Sequence, residues 1–473
     1  MPATATSAPV STEPATDVRM IAGVVAERRR AFAEGVTRPV PWRVEQLGRL
    51  HALLIENEAA IVDALSADLG RPRLEAWFAD VGFVASEVDA LRSRTPKLAA
   101  PRRVRTPVTN QPARSELIPE PLGTVLVIAP WNYPIQLLVI PLAGAIAAGN
   151  AAIVKPSELA PHTSALVARL VGEYLDPRAV AVVEGGVDET TELLRHRFEH
   201  IFYTGNGRVG RVVMRAAAEH LTPVTLELGG KSPAIVDGTA KLKVAARRIA
   251  SGKFLNAGQT CIAPDYVLVE RSVRDELVAE LVEALGEFYG AEPRTNPDYG
   301  RIVNAHHLDR LRRMLDPART VVGGDVDPDD RYLAPTILTD VPADHPCMQE
   351  EIFGPILPVL DVDDLDAAIA HVNAGDKPLA LYVFTEDDGA ADRVLAETSS
   401  GGAMVNGTIF HIANPHLPFG GVGESGMGAY HGDASFETFT HFKSVLRRTT
   451  RLDPPITYPP YTKRKLRLLK RFF

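Results

Sequence analysis

From residue 17 to 70 the apolar side chains recur at helical spacing: Leu47, Leu50 and Leu54, then Ile61 and Leu65. The spacing predicts helices, closed by Gly70-Arg71-Pro72. Further on the pattern changes to short apolar runs rich in β-formers, at 124–128, 151–154, 179–183 and 200–203, each followed by turn residues or a helical stretch. A second series follows Glu227, at 232–236, 265–270, 336–338 and 379–385. Strands alternating with helices predict an α/β protein with parallel strands covered on both faces. The stretch 135–154, whose only polar side chains are Gln136 and Asn150, is long enough to cross a bilayer. Pro141 interrupts it, alanine and glycine dominate 143–152, and Gly149-Asn150 reads as a helix stop, so a buried helix running into a strand is expected instead. No internal repeat is visible.

At 473 residues, two packed domains with appendages are expected. The net charge of −8 argues against a nucleic-acid surface. Two cysteines, Cys261 and Cys347, have neither a metal-ligand spacing nor a disulfide pattern, so no metal is expected and the compartment reads as reducing and cytoplasmic. Residues 1–16, rich in Ala, Thr, Ser and Pro with no apolar core or basic start, read as a disordered tail and not as a secretory signal.

Candidate chemistry centres on Cys261, in Gly258-Gln259-Thr260-Cys261, 34 positions after Glu227 in Glu227-Leu228-Gly229-Gly230-Lys231-Ser232-Pro233. One thiol and one carboxylate in glycine-bearing polar stretches suggest a nucleophile and a base that activates water. Gly205-Asn206-Gly207-Arg208-Val209-Gly210 matches the literal dinucleotide pattern between an expected strand and a helix over 209–219, but lacks a supporting carboxylate about twenty residues on. Lys155 and Glu158, in Lys155-Pro156-Ser157-Glu158, read by themselves as a solvated strand-to-helix turn. Asn132, in Pro130-Trp131-Asn132-Tyr133-Pro134, reads as a turn or as an amide donor. Glu351 and Phe353, in Glu350-Glu351-Ile352-Phe353-Gly354-Pro355, read as a solvated charge and a core ring. The glycine-rich loop from His416 to Gly428 lacks the Lys-Ser/Thr of a phosphate-binding P-loop.

The stretches around Glu227 and Cys261 resemble the two active-site signatures of the aldehyde dehydrogenase superfamily, and Cys261-Ile262-Ala263-Pro264-Asp265-Tyr266 is similar to its class 3 branch. The resemblance runs from about Arg28 to the chain end. It implies a variant Rossmann cofactor domain over 17–227, interrupted near 100–120 by an oligomerisation β-hairpin. A second α/β catalytic domain over 228–430 and a C-terminal oligomerisation segment with a basic tail over 431–473 would follow. It further implies Cys261 as nucleophile, Glu227 as base and Asn132 as oxyanion donor. Cofactor contacts would come from Lys155, Glu158, Thr204, Gly205, Asn206, Gly210, Glu351 and Phe353, and aldehyde-pocket walls from Tyr133, Phe410 and His411. The implied reaction is NAD(P)-dependent oxidation of an aromatic or medium-to-long aliphatic aldehyde to the acid, without transfer to coenzyme A, in a homodimer. NAD is expected to be preferred, because Glu158 would repel a 2′-phosphate. The alternatives are a cysteine esterase and a non-catalytic structural protein on the same fold. At the chain end Lys463, Arg464, Lys465, Arg467, Lys470 and Arg471 interleave with Leu466, Leu468, Leu469, Phe472 and Phe473. Packing of this segment in a dimer is preferred over contact with an anionic membrane surface.

Overall fold

The computed structural model describes residues 15–453 and 455–471. Residues 1–14 of the expected tail, and Phe472 and Phe473, lie outside that range. At the inner end of the expected tail, the Thr16 N–H donates to the Glu184 carbonyl at 3.0 Å and Thr16 Oγ1 accepts from the Glu184 N–H at 3.0 Å.

The architecture is α/β, as expected. Helices Val18–Ala33, Val40–Glu56 and Glu58–Leu69 occupy the first helical stretch, and Gly70 closes the third at a φ of 57°, a left-handed conformation that glycine reaches without a Cβ clash. Two principal sheets follow. The first has the order Gly426–Met427, Val224–Glu227, His200–Thr204, Thr124–Ile128, Ala151–Lys155 and Val180–Val182, with Gly426–Met427 its one antiparallel member. The second has the order Thr320–Val322, Thr336–Thr339, Ile356–Val362, Tyr266–Glu270, Pro233–Val236, Ala380–Phe384 and Gly402–Val405, parallel except at Thr320–Val322. A separate antiparallel sheet joins Arg102–Val104, Ala113–Pro121 and Thr440–Arg448.

The apolar stretch 135–154 folds as helix Gln136–Ala148 running into strand Ala151–Lys155, every residue of both buried. Pro141 does not interrupt this helix, contrary to its sequence reading. A mid-helix proline costs about 3 kcal/mol, and burial of all thirteen residues outweighs it. Small residues make that packing possible: a Cβ on Gly144 would lie 2.6 Å from the Ser435 carbonyl oxygen.

The arrangement of strand ends positions the chemistry. Glu227, Thr204 and Lys155 end parallel strands of the first sheet, and Asn132 follows the carboxyl end of Thr124–Ile128. Ligand sites in such sheets lie outside the carboxyl ends of the strands. From the second sheet come segments that precede its strands: Cys261 before Tyr266–Glu270 and Glu351 before Ile356–Val362.

Candidate active site

Cys261 ends a loop whose backbone is set by three consecutive left-handed residues, Asn256, Ala257 and Gly258, with φ of 52°, 51° and 74°. A side chain on Gly258 would collide with the Gly354 carbonyl. The buried Gln259 amide holds the loop from inside. It donates to the carbonyls of Asn256 (3.0 Å) and Arg301 (2.9 Å) and accepts from the Val303 N–H (2.9 Å). Left-handed alanine and asparagine persist where their surroundings dictate them.

The Asn132 loop is laced to that of Cys261. Asn132 Nδ2 donates to the Gln259 carbonyl at 3.1 Å, which leaves its second N–H for another acceptor. Asn256 Nδ2 donates to the Asn132 carbonyl at 3.0 Å, and the Tyr133 hydroxyl pairs with Thr260 Oγ1 at 2.7 Å. Beneath both loops lies an ion pair, Arg71 with Asp80, whose side chains have no solvent exposure. Arg71 also donates to the Asn132 carbonyl and to Asn256 Oδ1, and its guanidinium sits 4.4 Å from the Tyr133 ring centre. Asp80 Oδ1 accepts the N–H groups of Ile135 (3.1 Å) and Gln136 (2.9 Å) at the start of helix Gln136–Ala148. The sequence reading took Arg71 only as part of a helix stop; no pattern along the chain marks a partner for it.

Glu227 is 2% exposed, and burial pushes its carboxyl well above the usual carboxylate range, partly offset by the Gly421 N–H. Burial likewise raises the Cys261 thiol above its ordinary value, and the negative charges of Glu227 and Glu351 raise it further. These three groups therefore share one electrostatic neighbourhood, in which ionising one disfavours ionising the next. Glu351 is pushed up to about 8 by burial and then by Asp265, against the Gly230 N–H. A side chain on Gly229 would collide with the Glu351 carboxylate, so glycine is what lets the two loops meet. Lys231 ties them together: its ammonium pairs with Asp265 and donates to the carbonyls of Cys347 (2.7 Å) and Glu350 (3.1 Å), while Asp265 Oδ1 accepts the Ile352 N–H at 2.9 Å.

Residues suited to a nicotinamide dinucleotide lie along the same edge. Helix Gly207–Ala218 has no acidic residue in its first turn, which leaves its amino end favourable for a pyrophosphate. Thr204 Oγ1, just before it, is buried with no protein partner, as is Glu351 Oε1. Asn206 Oδ1 caps the helix through the Val209 N–H at 3.0 Å. Glu158 is half-exposed and meets Lys155 Nζ at 3.1 Å, while Lys155 itself is buried and donates to the Pro156 carbonyl at 2.9 Å. These donors and acceptors fit a phosphate-and-ribose ligand. Gly205 leaves room for the Tyr203 phenol, and a Cβ on Gly210 would lie 2.9 Å from Leu228 Cδ2, so both glycines permit close packing beside Glu227. Phe353, with a φ of 46°, sets its ring edge-on to Trp131 at 5.4 Å.

Of the expected pocket walls, Phe410 is exposed beside Phe78, ring centres 6.2 Å apart. His411 is buried enough that its pKa falls to about 4, and neither ring nitrogen has a protein partner. Tyr133 is buried, its hydroxyl committed to Thr260. Tyr382, which the sequence reading passed over as a strand residue, bridges the nucleophile loop and the pocket loop. Its hydroxyl donates to the Ile262 carbonyl at 2.5 Å and accepts from the Ile409 N–H at 3.3 Å. Cys347 is fully buried, its thiol pushed up to about 11 by burial and set 3.0 Å from His345 Nδ1.

The aldehyde dehydrogenase family model matches residues 2–445. The chain is 49% identical over 439 residues to 4,4'-diaponeurosporen-aldehyde dehydrogenase of Staphylococcus aureus, covering 92% of this chain and 95% of that protein. It is 49% identical over 426 residues to a Rattus norvegicus enzyme named aldehyde dehydrogenase, dimeric NADP-preferring, covering 90% of this chain and 94% of that one. The solved substrate-bound state of Staphylococcus aureus AldH superposes with a TM-score of 0.94 at 47% identity, over 96% of this chain and 99% of that one. The chain belongs to the aldehyde dehydrogenase family and, with family 3 members among its relatives at 47–48% identity, to the class 3 branch. It is an oxidoreductase that oxidises aldehydes with a nicotinamide cofactor.

Proposed function

We propose that Cys261 is the nucleophile of this oxidation, Glu227 its base and Asn132 its oxyanion donor. The carrying observation is the convergence of three loops. Asn132 is hydrogen-bonded to the nucleophile loop at Gln259, and the Cys261 thiol lies in the field of Glu227. Because burial raises the pKa of both groups, the thiol passes its proton to water only as its sulfur bonds to the aldehyde carbon. The free N–H of Asn132 and the Cys261 backbone N–H then meet the oxygen, where charge develops, a contribution of a few kcal/mol. A nicotinamide dinucleotide held by Thr204, Glu351 and the amino end of helix Gly207–Ala218 would supply the hydride acceptor. The oxyanion collapses to a thioester on Cys261, and Glu227 takes a proton from the water that attacks it. The carbon–sulfur bond breaks, the acid leaves and the thiol is restored.

The substrate we assign is an apolar aldehyde, aromatic or medium-to-long aliphatic. The exposed Phe410 beside Phe78 offers an apolar rim, and the Staphylococcus aureus relative is named for 4,4'-diaponeurosporen-aldehyde. A panel of aldehydes with either cofactor, followed at the reduced nicotinamide band, tests this reading. Turnover confined to small hydrophilic aldehydes would contradict it.

For the cofactor we propose NAD preferred with measurable NADP use. Glu158 would repel a 2′-phosphate, while Lys155 at 3.1 Å softens the repulsion. NAD should therefore give the higher kcat/KM, and Glu158→Gln should move the ratio toward NADP. A tenfold advantage for NADP in the wild type, about 1.4 kcal/mol, would remove Glu158 from the ribose; the rat relative's name makes this a real contest.

We also propose a cytoplasmic homodimer in which the C-terminal segment packs against the second subunit. The strand Thr440–Arg448 forms one edge of its sheet, and Tyr461, Leu466 and Leu468 are exposed in the single chain. No helix among the described residues is long and apolar enough to cross a membrane. Flotation with anionic vesicles, comparing the full chain with one ending at Thr462, should show no lipid-dependent difference. Flotation of the full chain alone would favour the membrane surface instead.

A further inference from the structure

Converting one aldehyde to a carboxylate delivers two electrons to the cofactor and releases two protons, one from the Cys261 thiol and one from the attacking water. The second of these is taken up by Glu227, which is 2% exposed, so the base needs a route by which that proton reaches solvent. Glu227 Oε1 has no protein hydrogen-bond partner. Buried polar atoms are nearly always paired, with protein or with ordered water, so such an atom calls for an explanation.

The neighbouring residues supply one. Tyr430 has no solvent exposure, and its hydroxyl too lacks a protein partner. Burial raises its pKa well above the usual phenol value, followed by the charges of Glu227, Cys261 and Glu87, so the phenol lies in the field of all three. Its backbone is strapped to Phe419 by reciprocal bonds of 2.9 and 2.8 Å, and Gly421, two residues beyond Phe419, meets the Glu227 carboxylate.

His431 comes next. Its ring centre lies 4.3 Å from that of Tyr430 and is packed by Phe83 at 5.8 Å and Phe419 at 5.7 Å. It is 1% exposed and holds a φ of 72°, a backbone state that a residue with a Cβ keeps only when its surroundings impose it. Nδ1 lies 3.4 Å from Glu87 Oε2 without a hydrogen bond between them, and neither ring nitrogen has a hydrogen-bond partner. Glu87 accepts the Gly432 N–H at 3.2 Å and is held below the usual carboxylate range, its burial being overcome by His431, Gly432 and Arg94. Arg94 in turn pairs with Asp433, and that pair is partly open to solvent. His411, whose charge would oppose that of His431, is the other titratable group facing it, and burial keeps it neutral.

Atoms without protein partners therefore recur on Glu227, on Tyr430, which follows Gly426 (the strand partner of Glu227) by four residues, and on His431, whose ring packs on that of Tyr430 and lies beside Glu87, next to a surface ion pair. We propose that Tyr430, His431 and Glu87 carry protons from Glu227 to solvent during thioester hydrolysis, an inference that rests on the roles given above to Cys261 and Glu227. The protonated Glu227 carboxyl gives its proton to the Tyr430 oxygen through water held by the unpartnered atoms. Tyr430 passes its own hydroxyl proton through a second water to His431 Nε2, and His431, beside Glu87, releases a proton to solvent at the Arg94–Asp433 edge. Each group ends in the state in which it began, and Glu227 is again a carboxylate. Tyr430, His431 and Glu87 are positioning residues here, since none of them touches the acyl carbon.

The test separates acylation from hydrolysis. In single-turnover experiments on the full chain, acyl-enzyme is quenched at intervals and counted by intact mass, in water and in deuterium oxide. Tyr430→Phe keeps the packed ring and removes only the hydroxyl. Acyl-enzyme should form at the wild-type rate and decay more slowly by roughly tenfold, with a larger solvent isotope effect on decay. Glu87→Gln should show the same pattern, and the double variant should be no slower than the slower single variant, because both act on one path. Wild-type decay and isotope effect in both single variants would overturn the relay, as would a loss confined to acyl-enzyme formation. Glu227→Gln run alongside separates the two levels: if it accumulates no acyl-enzyme, the role of Glu227 itself is wrong, whereas accumulation there with normal decay in Tyr430→Phe refutes the relay alone.

Discussion

Cys261→Ser is expected to abolish aldehyde oxidation while leaving the fold in place. The serine hydroxyl ionises far above a thiol and is a much weaker nucleophile at neutral pH. Loss of a catalytic nucleophile commonly costs on the order of 10⁵ or more in kcat. The substitution removes little else. The nucleophile loop is held by Gln259, Asn256 and Arg71, and none of those bonds involves the Cys261 side chain. Thermal unfolding should be unchanged, and cofactor binding, read by fluorescence quenching, should stay near wild type. Turnover within a few-fold of wild type would remove Cys261 from the chemistry.

Glu227→Gln should separate the two halves of the reaction. Hydride departure requires no activated water, so a burst of reduced cofactor near one per active site should survive. Steady turnover should fall by about 10²–10⁴, the usual scale for a general base. The variant should also be no less stable than the wild type at pH 8. Burial raises the pKa of Glu227 in the folded state above its unfolded value. The unfolded chain therefore loses this proton first, and the wild type loses stability as pH climbs from the ordinary glutamate value toward the raised one. Glutamine, neutral throughout, has no such loss. Normal steady turnover without a burst would contradict the role of Glu227, and a melting temperature that falls at pH 8 would contradict the electrostatics assigned to its pocket.

How far the chain could be read in advance depended on whether a feature is local. Strands at 124–128, 151–154 and 200–203 announced themselves because buried parallel strands are short apolar runs bounded by turns, and the structure has them within a residue. The loops bearing Asn132, Glu227 and Cys261 were legible because each carries its own glycine or proline punctuation. Arg71 was not, because its meaning comes from Asp80 and from the carbonyl of Asn132, which only the folded chain brings to it. Tyr382 reads as one more apolar strand residue; only its hydroxyl bond to Ile262 shows its second duty. Gly426–Met427, within a stretch that read as a loop, crosses to the first sheet and pairs with Val224–Glu227, which fixes the strand that ends in Glu227. The sequence reading singled out neither Tyr430 nor His431, since their unpartnered polar atoms appear only when burial is known.

The proposed oxidation requires a covalent intermediate at one of two cysteines. The most direct test is rapid acid quench of Glu227→Gln after mixing with an aldehyde and NAD, followed by peptide mapping of the trapped acyl group. The prediction is one acyl group per chain, on the peptide containing Cys261, formed in step with one equivalent of reduced cofactor. Reduced cofactor with no acyl group on Cys261, or an acyl group on Cys347 instead, would contradict it.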